Sequence, residues 1–589
     1  MNNIEVQFFH AEWIMLDAGS VIVWIRGWIT KNEVFMDANS MAQELVGIIN
    51  SHGALKEKIA ECINEWRGNY AFCIILENEV VLCADIVRSI PLVYAKTNGN
   101  IYVSDSHEWI CREMGSPCLD EASAEEYLVS GFVFGNNTLH VGVNGVQAGE
   151  LVQVDVNNNN SLRFFSFNPD MFQDLNIRPE QKIYECIDCL LKRSIQRMID
   201  STKNVRRWVV PLSGGYDSRI VASYLKKAGI ENVVCFTYGR AGNKESDISK
   251  QVADALGYEW HFVEYNRAAW TNLMADIRTA EYLKYACNGT SLPVLQDYLA
   301  LAQLRELGIV AEGDVVVPGH TLDFIAGSHL NAEQVKYGEV TNRKAGQIVF
   351  DRHVVFWRDE SREEAVRERI LKMLIEKECS SVRGCTASGI AEWFDWQERQ
   401  AKFIANNVRG YEFQGLRWRL PLWDRDLTEL LRSVPYEYRI QRKLFKSAYE
   451  AILVPPQVKV IPLADLTVPN SPALNTKAYC SGASLLSAKL RSKMNKIQYL
   501  RLLKRICRYF VPPQTRDTDM AFEEYFVAKY SSVGDLLKLC PGIKWPKSLS
   551  AHFRWRTSWP VRRGGGESNA LLAVYVLRHY LLLTVKGGK

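Results

Sequence analysis

The feature that most constrains the fold is an alternation of strand-like and helix-like segments that starts near residue 178. The apolar strand patterns "RWVVPL", "NVVCFTYG" and "EWHFVEY" are separated by the amphipathic helix patterns "SRIVASYLKKAG" and "ESDISKQVADALG". Strands that alternate with helices in this way predict a parallel sheet with helices packed against it. We therefore expect an α/β domain in the middle of the chain.

The turn after the first of these strands has a composition that an ordinary turn does not need. "PLSGGYDS" (211–218) places two glycines, two serines and an acid between a strand and the next helix. Ligands of parallel sheets bind at the carboxyl ends of the strands, where glycines allow close approach of backbone amides and a helix N-terminus favours phosphate. Ser213 and Ser218 can add hydroxyl donors, and Asp217 can hold the Mg²⁺ that accompanies phosphates. A tight structural turn is the alternative, but we favour a phosphate site. It is not a Walker loop, because no G-x-x-x-x-G-K-[ST] occurs in the chain.

The rest of the chain falls into two further regions, as expected for 589 residues, which are too many for one compact domain. Residues 1–165 contain short β-branched or aromatic runs between Asn, Gly and Asp turns, which predicts a β-rich domain. Residues 157–161 and 167–170 have the composition of a linker. We assign the α/β domain to 178–475, mostly helical beyond 360, and expect 476–589 to be its helical C-terminal extension.

Charge and hydrophobicity exclude several classes of protein. The net charge of +4, from 71 basic and 67 acidic residues, is too balanced to indicate a nucleic-acid partner. The basic stretch 489–510 has leucines and isoleucines at helical spacing, which favours a packed amphipathic helix. The chain begins without the basic start of a signal peptide, and Arg578 and His579 interrupt the late apolar segment 570–585, which favours a buried helix over a membrane span. We expect a cytoplasmic protein with no integral membrane segment. Its oligomeric state stays open.

The fourteen cysteines are scattered, without the even spacing of a disulfide framework. Cys186 and Cys189 form a C-x-x-C, but they lie within a helical stripe of apolar residues and no second Cys/His pair stands at metal-ligand spacing. We therefore favour buried helix packing for this pair over redox or metal chemistry.

The loop at 211–218 resembles the pyrophosphate loop of the N-type ATP pyrophosphatases, which cleave ATP to AMP and pyrophosphate. Two later segments, "VVVPGHTLDFIAGSH" (315–329) and "LRWRLPLWDRDLTELLRSVP" (416–435), are similar to blocks of the asparagine synthetase family, which includes asparagine synthetase B and β-lactam synthetase. The resemblance implies that ATP and Mg²⁺ bind here, with Asp217 and Asp323 as the metal carboxylates. The implied nucleotide contacts are Leu212, Ser213, Gly214, Gly215, Tyr216, Asp217, Ser218, Thr237, Gly239 and Gly319.

The chain departs from that family at three acidic positions. His320 and Phe324 replace two glutamates of the second acidic loop, and Arg417 replaces the acid that handles the amine nucleophile. A neutral imidazole cannot balance Mg²⁺ charge as a glutamate would, so we predict that His320 is not a metal ligand but donates a hydrogen bond to a phosphate or to the bound acid. For Asp323 the alternative to a metal role is a helix N-cap.

A lysine is expected to stabilise the charge that develops on the phosphates. Lys459, in "LVPPQVKV", resembles the family's late catalytic lysine and is our preferred candidate, with Lys443 and Lys446 as alternatives; a solvated surface position is the competing interpretation for each. Where the family contacts adenosine, Glu245 and Asp247 follow the second strand, and a helix capping box explains them nearly as well.

The N-terminal region resembles the family's glutaminase domain, which implies an α+β, β-rich sandwich of the Ntn-hydrolase type. Asp85, Pro91, Leu92 and Tyr94 keep the spacing of that domain. Such glutaminases use a cysteine exposed as the mature N-terminus, whereas this chain has Asn2. The segment "VWIRGWITKNE" also lacks the family's glutamine-binding pattern. We predict a structural domain without glutaminase activity, so the nitrogen donor is expected to be ammonia or an amine.

Together these patterns predict an ATP-dependent ligase that adenylates a carboxylate and transfers it to ammonia or an amine. The resemblance implies a small-molecule or saccharide acid, with a uronic acid of a surface polysaccharide as one case. Asparagine synthesis, intramolecular lactam or peptide-ring closure, and a nucleotide-binding pseudoenzyme remain the alternatives, because fold-level analogy does not identify a substrate.

Overall fold

The computed structural model describes residues 3–51, 55–157, 162–165, 181–338, 340–356, 360–376, 386–463 and 572–577. Asn2, the predicted linker 157–161 apart from residue 157, the linker 167–170 and the basic stretch 489–510 lie outside these ranges, as does nearly all of the predicted extension 476–589.

The N-terminal domain contains two β-sheets, as its strand patterns predict. One sheet has the strand order β1-β8-β7-β9 and the other β11-β10-β6-β5-β3-β2, with β4 paired to β3. All of these ladders are antiparallel except that of β1 with β8. The elements are β1 (Ile4–Gln7), β2 (Ile14–Asp17), β3 (Ile22–Lys31), β4 (Val34–Asp37), α1 (Ala38–Ile49), α2 (Leu55–Glu65), β5 (Arg67–Ile75), β6 (Glu79–Ala84), β7 (Val93–Thr97), β8 (Asn100–Ser104), α3 (His107–Glu113), α4 (Glu121–Ser130), β9 (Val143–Gly145), β10 (Glu150–Asp155) and β11 (Leu162–Phe165).

Successive residues of a strand point to opposite faces of its sheet. In these two sheets both faces are covered, one by the other sheet and one by helices. In β5, Cys73 packs into the core shared with the second sheet, while Phe72 packs against α1 and α2. In β8, Val103 joins the shared core and Tyr102 packs beside Ile110 of α3. The domain is therefore a sandwich of two sheets between two helical layers, which confirms the predicted α+β sandwich.

The second domain is built on a five-stranded parallel sheet with the order β14-β13-β12-β15-β16, which confirms the α/β prediction. Its strands are β12 (Trp208–Pro211), β13 (Val233–Gly239), β14 (Glu259–Glu264), β15 (Val315–Val316) and β16 (Arg417–Trp418). Its helices are α5 (Gln181–Asp200), α6 (Tyr216–Lys227), α7 (Lys244–Leu256), α8 (Arg267–Ala275), α9 (Ile277–Cys287), α10 (Gln296–Glu306), α11 (Leu322–Ile325), α12 (Ala332–Tyr337), α13 (Asn342–His353), α14 (Glu360–Glu376), α15 (Ala387–Phe394), α16 (Val408–Phe413), α17 (Arg425–Ser433), α18 (Tyr436–Arg439), α19 (Lys443–Ala448) and α20 (Pro456–Lys459).

The described part beyond residue 360 is mostly helical, as predicted, and includes a π-helical segment, Asp395–Ile404. The late apolar segment contributes a buried helix at 572–577 to the main core. None of the helices in the described ranges has both the length and the apolar composition needed to cross a membrane.

The prediction that α5 carries a buried apolar stripe is confirmed, but the prediction that Cys186 and Cys189 are buried is wrong. The stripe on α5 is buried as expected, through Ile183, Ile187, Leu191, Ile195 and Met198. Cys186 and Cys189, however, are exposed free thiols on the other face of the helix, so packing does not account for them. A helix places residues four apart on one face, and both cysteines fall between the stripe positions.

The two domains meet on a buried cluster of charges that we call the interface cluster: Arg26, Tyr285, Arg409, Glu412 and Trp418. Glu412 accepts from Arg26 of β3, from Arg409 (2.5 Å), from the hydroxyl of Tyr285 (2.6 Å) and from the indole of Trp418 (2.8 Å). The side chain of Glu412 is only 3% exposed. Arg26 lies in the segment where the resemblance implies a glutamine site. In this structure the strand instead contacts the second domain, which we call the synthetase-like domain.

Candidate active site

The predicted nucleotide-binding residues lie along one edge of the parallel sheet, because the carboxyl ends of its strands share that edge. Residues 212–218 follow β12, Thr237 and Gly239 end β13, and Gly319 follows β15. Leu212 and Thr237 are buried beneath the edge. The fold therefore brings together residues that are more than a hundred positions apart in the sequence.

The loop after β12 is held in shape by its own serines. The Ser218 hydroxyl lies 3.0 Å from both the backbone nitrogen and the hydroxyl of Ser213, and the Gly215 N–H donates to the Ser213 hydroxyl (3.2 Å). Helix α6 begins directly after Gly215, and no side chain caps its N-terminus. An uncapped helix N-terminus beside glycine amides is the geometry that binds phosphate.

Gly319 must be a glycine because the second loop crosses the first at close range. A Cβ built on Gly319 would lie 2.7 Å from the backbone nitrogen of Ser218, a distance that real Cβ atoms essentially never show. This contact sets the carboxylates of the two loops, Asp217 and Asp323, side by side.

Asp217 and Asp323 form the acidic centre of the site. The backbone N–H of Asp323 donates to Asp217 Oδ2 (2.8 Å), and the Ser328 hydroxyl donates to Asp323 Oδ2 (3.0 Å). The other oxygen of Asp217, Oδ1, is buried without a hydrogen-bond partner among the described residues. Burial and the nearby Asp323 raise the pKa of Asp217 well above its ordinary value. A buried carboxylate with a spare oxygen beside a second carboxylate fits a divalent cation with oxygen ligands.

The structure excludes the N-cap alternative for Asp323. Helix α11 has Thr321 as its N-cap, and Asp323 stands inside the first turn with its carboxylate on Ser328. The capping-box alternative for Glu245 and Asp247 also fails, because the acid of a capping box stands three residues after the N-cap, and with Asn243 as the N-cap of α7 that position is Ser246. Glu245 instead accepts from the N–H of Gly214 in the phosphate loop (3.3 Å).

Among the described residues, Arg442 is a cation whose charge acts on Asp217, and sequence reasoning missed it. Its charge lowers the pKa of Asp217, although less than burial and Asp323 raise it, and its guanidinium lies 5.0 Å from the ring centroid of Tyr216. Lys443 follows Arg442 directly and is exposed at the start of α19. Lys459 is exposed at the end of α20.

Arg219 ties the segment after Lys459 to the phosphate loop. Its buried guanidinium donates to the carbonyl of Gly214 (3.2 Å) and to those of Ile461 (2.9 Å) and Pro462. Lys459 therefore lies in a segment that is anchored beside the loop.

His320 is buried in a network centred on Asp297, which sequence reasoning also missed. Asp297 accepts from Tyr238 (2.6 Å), Tyr411 (2.5 Å) and the amide nitrogen of Asn407 (2.7 Å). An acceptor at that position fixes the Asn407 amide with its nitrogen inward, and the same nitrogen lies 3.4 Å from His320 Nε2. The Asn407 amide nitrogen also donates to the Tyr411 hydroxyl (3.0 Å), so its two hydrogens serve Asp297 and Tyr411, and His320 Nε2 lies beside this amide.

Burial lowers the pKa of His320, so the ring is neutral, although Asp297 and Asp323 act in the opposite direction. Its Nδ1 is buried and has no hydrogen-bond partner among the described residues. A neutral imidazole can donate a hydrogen bond from this nitrogen, and the donor role of His320 stays a prediction.

A second histidine beside the acidic centre forms a carboxylate–imidazole pair. His329 Nδ1 lies 2.8 Å from Asp395 Oδ2, and Asp395 also accepts from Arg352 Nε (3.0 Å) and Gln400 Nε2 (2.9 Å). Burial alone would raise the pKa of Asp395, but His329 and Arg352 hold it well below its ordinary value. The His329 side chain keeps 22% exposure and directly follows Ser328, which binds Asp323. Because 66 positions separate His329 and Asp395, no local sequence motif predicts that they pair.

Arg417 lies away from the site. Its guanidinium donates to the backbone carbonyls of Lys203 (2.9 Å), Asn204 (3.2 Å) and Gly313 (2.7 Å), which precede β12 and β15 at the amino edge of the sheet. The position that resembles the family's acid is therefore a structural tether at the opposite end of the sheet from the phosphate loop.

Comparison with known proteins identifies part of this architecture. Residues 187–284, from α5 through most of α9, match the asparagine synthase family. No curated protein sequence matches the chain significantly. The family match supports an ATP-dependent amide-forming ligase at a coarse level.

Several solved structures resemble parts of the chain. They include the allosteric regulatory enzyme of purine biosynthesis (13% identity over 43% of this chain and 62% of that chain, TM-score 0.19) and the glutamine phosphoribosylpyrophosphate amidotransferase of B. subtilis (13%, 54% and 59%, TM-score 0.17). NMN synthetase from Francisella tularensis is similar at 13% identity over 38% of this chain and 97% of that chain (TM-score 0.19). The chain spans about three fifths of the length of the first two. Similarity at this level carries no argument about function.

Proposed function

We propose that this chain, of which residues 187–284 match the asparagine synthase family, adenylates a carboxylic acid with ATP and passes the acyl group to ammonia or an amine. The observation that carries the proposal is the acidic centre, where one buried oxygen of Asp217 has no hydrogen-bond partner and the N-terminus of α6 has no side-chain cap among the described residues, with Asp323 beside them. Those features fit a nucleotide whose phosphates bring a divalent cation.

In the first step a carboxylate oxygen of the acid attacks the α-phosphorus of ATP. The bond from that phosphorus to the bridging oxygen breaks, and pyrophosphate leaves with the electron pair. The loop amides and the hydroxyls of Ser213 and Ser218 would bind the departing phosphates. Asp217 and Asp323 would hold Mg²⁺, which when bound neutralises charge on the phosphate oxygens. Arg442 and the proposed catalytic lysine, Lys459 or Lys443, would add positive charge.

In the second step the amine nitrogen attacks the carbonyl carbon of the acyl-adenylate and AMP leaves. The nitrogen must lose a proton, and we assign that proton to Nε2 of His329. Asp395 accepts from Nδ1 and so keeps Nε2 in the form that accepts a proton. His320 would donate from Nδ1 to the bound acid or to a phosphate. The pair of His329 and Asp395 would take the role of the family's acid, whose position in the sequence is occupied here by Arg417.

The N-terminal domain has a structural part in this proposal. Arg26 and Trp28 of β3 contact the synthetase-like domain, through Glu412 and through Arg419, whose guanidinium lies 5.1 Å from the Trp28 ring centroid. We propose that nitrogen arrives as ammonia or as a substrate amine, and that the acid is a small molecule or a saccharide such as a uronic acid.

The test separates the two steps. The purified chain is incubated with Mg²⁺-ATP, an amine or ammonium, and a panel of acids that includes aspartate, hexuronic acids and amino acids able to close a lactam. We expect AMP and pyrophosphate with at least one acid. Release of ADP and phosphate instead would refute adenylation, and no acid-dependent turnover across the panel would favour the pseudoenzyme.

Exchange of labelled pyrophosphate into ATP reports the first step alone. His329→Gln and Asp395→Asn should keep that exchange and lose amide formation, because only the second step needs the base. Asp254→Asn, an exposed acid on α7 paired with Lys250, is the matched control and should leave both steps intact. Equal loss of both steps in His329→Gln would show that His329 does not act as the base.

A further inference from the structure

Three metal-binding side chains converge in the N-terminal domain, far in sequence from the acidic centre. His107 and Cys111 stand four residues apart on α3, and His140 lies in the loop before β9. One ligand atom from each of the three lies within 4.8 Å of the others. Both histidines are buried and Cys111 is half-buried. We call this group the His–Cys–His cluster.

The sulfur–nitrogen distance between Cys111 and His107 suits a bound zinc ion. With Zn–S near 2.3 Å and Zn–N of about 2.0–2.1 Å, a tetrahedral site separates sulfur from nitrogen by about 3.5 Å. Cys111 Sγ lies 3.6 Å from His107 Nε2 and 3.8 Å from its Nδ1. Thiolate and imidazole select zinc and its soft neighbours over Mg²⁺ or Ca²⁺, which prefer oxygen ligands.

We propose that His107, Cys111 and His140 bind one zinc ion per chain, with the fourth position open to water. On binding, the Cys111 thiol releases its proton to solvent and the thiolate becomes the ligand. The competing explanation is a purely structural contact in which the thiol donates to the His107 ring.

The position of the cluster indicates what the metal would do. The backbone N–H of His107 donates to Asn288 Oδ1 (2.7 Å), and the backbone N–H of Leu139 donates to the Gly289 carbonyl (2.8 Å). The His107 ring packs on Gly289 so closely that a Cβ there would lie 2.5 Å from it, and Gly289 has a φ of +67°. Both sides of the cluster therefore touch the turn at 288–289 of the synthetase-like domain. Zinc would lock α3 to the loop around His140 and hold the interdomain contact.

The experiment measures metal on the full-length protein. We expect mass spectrometry of the purified, dialysed chain to give stoichiometric zinc, and Co²⁺ substitution to give the visible and near-ultraviolet bands of a tetrahedral thiolate site. Cys111→Ser and His140→Gln should weaken zinc binding, measured by chelator competition, by at least about 10-fold. Cys118→Ser, which removes an exposed thiol outside the cluster, is the matched control and should bind zinc as the wild type does.

Alkylation of the wild type keeps the proposal testable if the Cys111 and His140 variants fail to fold. Zinc should slow modification of Cys111 by N-ethylmaleimide, located by peptide mass spectrometry, and leave that of Cys118 unchanged. Substoichiometric metal, no thiolate band with Co²⁺, or equal zinc affinity in Cys111→Ser would overturn the proposal and leave the thiol–imidazole contact as the explanation. None of these readouts depends on ligase activity.

Discussion

Replacing Glu412 by glutamine should loosen the contact between the two domains. Burial alone would raise the pKa of this carboxyl, but Arg26 and Arg409 lower it from 4.5 to about 2. That difference corresponds to about 3 kcal/mol of stabilisation by the ionised form. Glutamine has the shape of the protonated acid but lacks the negative charge of ionised Glu412. The variant should therefore lose about 3 kcal/mol of stabilisation. The value agrees with the cost of breaking other buried ion pairs by removing one partner.

Hydrogen exchange measured by mass spectrometry is the appropriate assay, because a chain of this size need not unfold in one step. A loss of about 3 kcal/mol should speed exchange in peptides covering 22–31 and 408–418 on the order of 100-fold. Glu281→Gln, an exposed glutamate on α9 one turn from Tyr285, is the control and should leave these peptides unchanged. Exchange in Glu412→Gln no faster than in Glu281→Gln would refute the ion-pair argument.

The stabilisation that Glu412→Gln loses depends on pH, and the direction of that dependence follows from the lowered pKa of Glu412. The folded chain holds Glu412 ionised more strongly than the unfolded chain does, so its stabilisation is complete above about pH 5 and disappears as the pH falls through about 2. The difference in exchange between wild type and Glu412→Gln should therefore shrink progressively over that window. A difference that grows on acidification would contradict this account.

Three further outcomes follow from the site. Asp217→Asn should abolish AMP formation. In a thermal melt without metal, its melting temperature should be no lower than that of the wild type, because the substitution removes a buried carboxylate beside Asp323. A clearly lower melting temperature would show that the carboxylate has a structural role. The full-length chain, with Asn2 where the related glutaminases have cysteine, should release no glutamate from glutamine in a coupled assay, and detectable release would overturn the structural assignment of the N-terminal domain. His320→Gln, which keeps a donor, should retain more ligase activity than His320→Glu; the reverse order in steady-state rates would mark the position as a degraded metal site.

Local patterns were sufficient for the elements that build the site. Hydrophobic alternation and the glycine-rich turn predicted β12, the loop and α6, and their order along the chain predicted which strand ends would meet. The same local reasoning misplaced Cys186 and Cys189, which lie outside the buried stripe of their helix. It also offered capping roles for Asp323 and Glu245, because a cap and a site residue look alike at the start of a helix.

By itself the sequence determined the class of fold and predicted the phosphate loop, since both depend on residues that are neighbours along the chain. Only the tertiary structure decided what surrounds the reacting groups. It paired His329 with Asp395, set Asn407 against His320, and placed Glu412 on Arg26 of the other domain. Contacts between residues 66 to 386 positions apart leave no periodicity in the sequence, because each is fixed by the packing of whole elements rather than by local backbone preference.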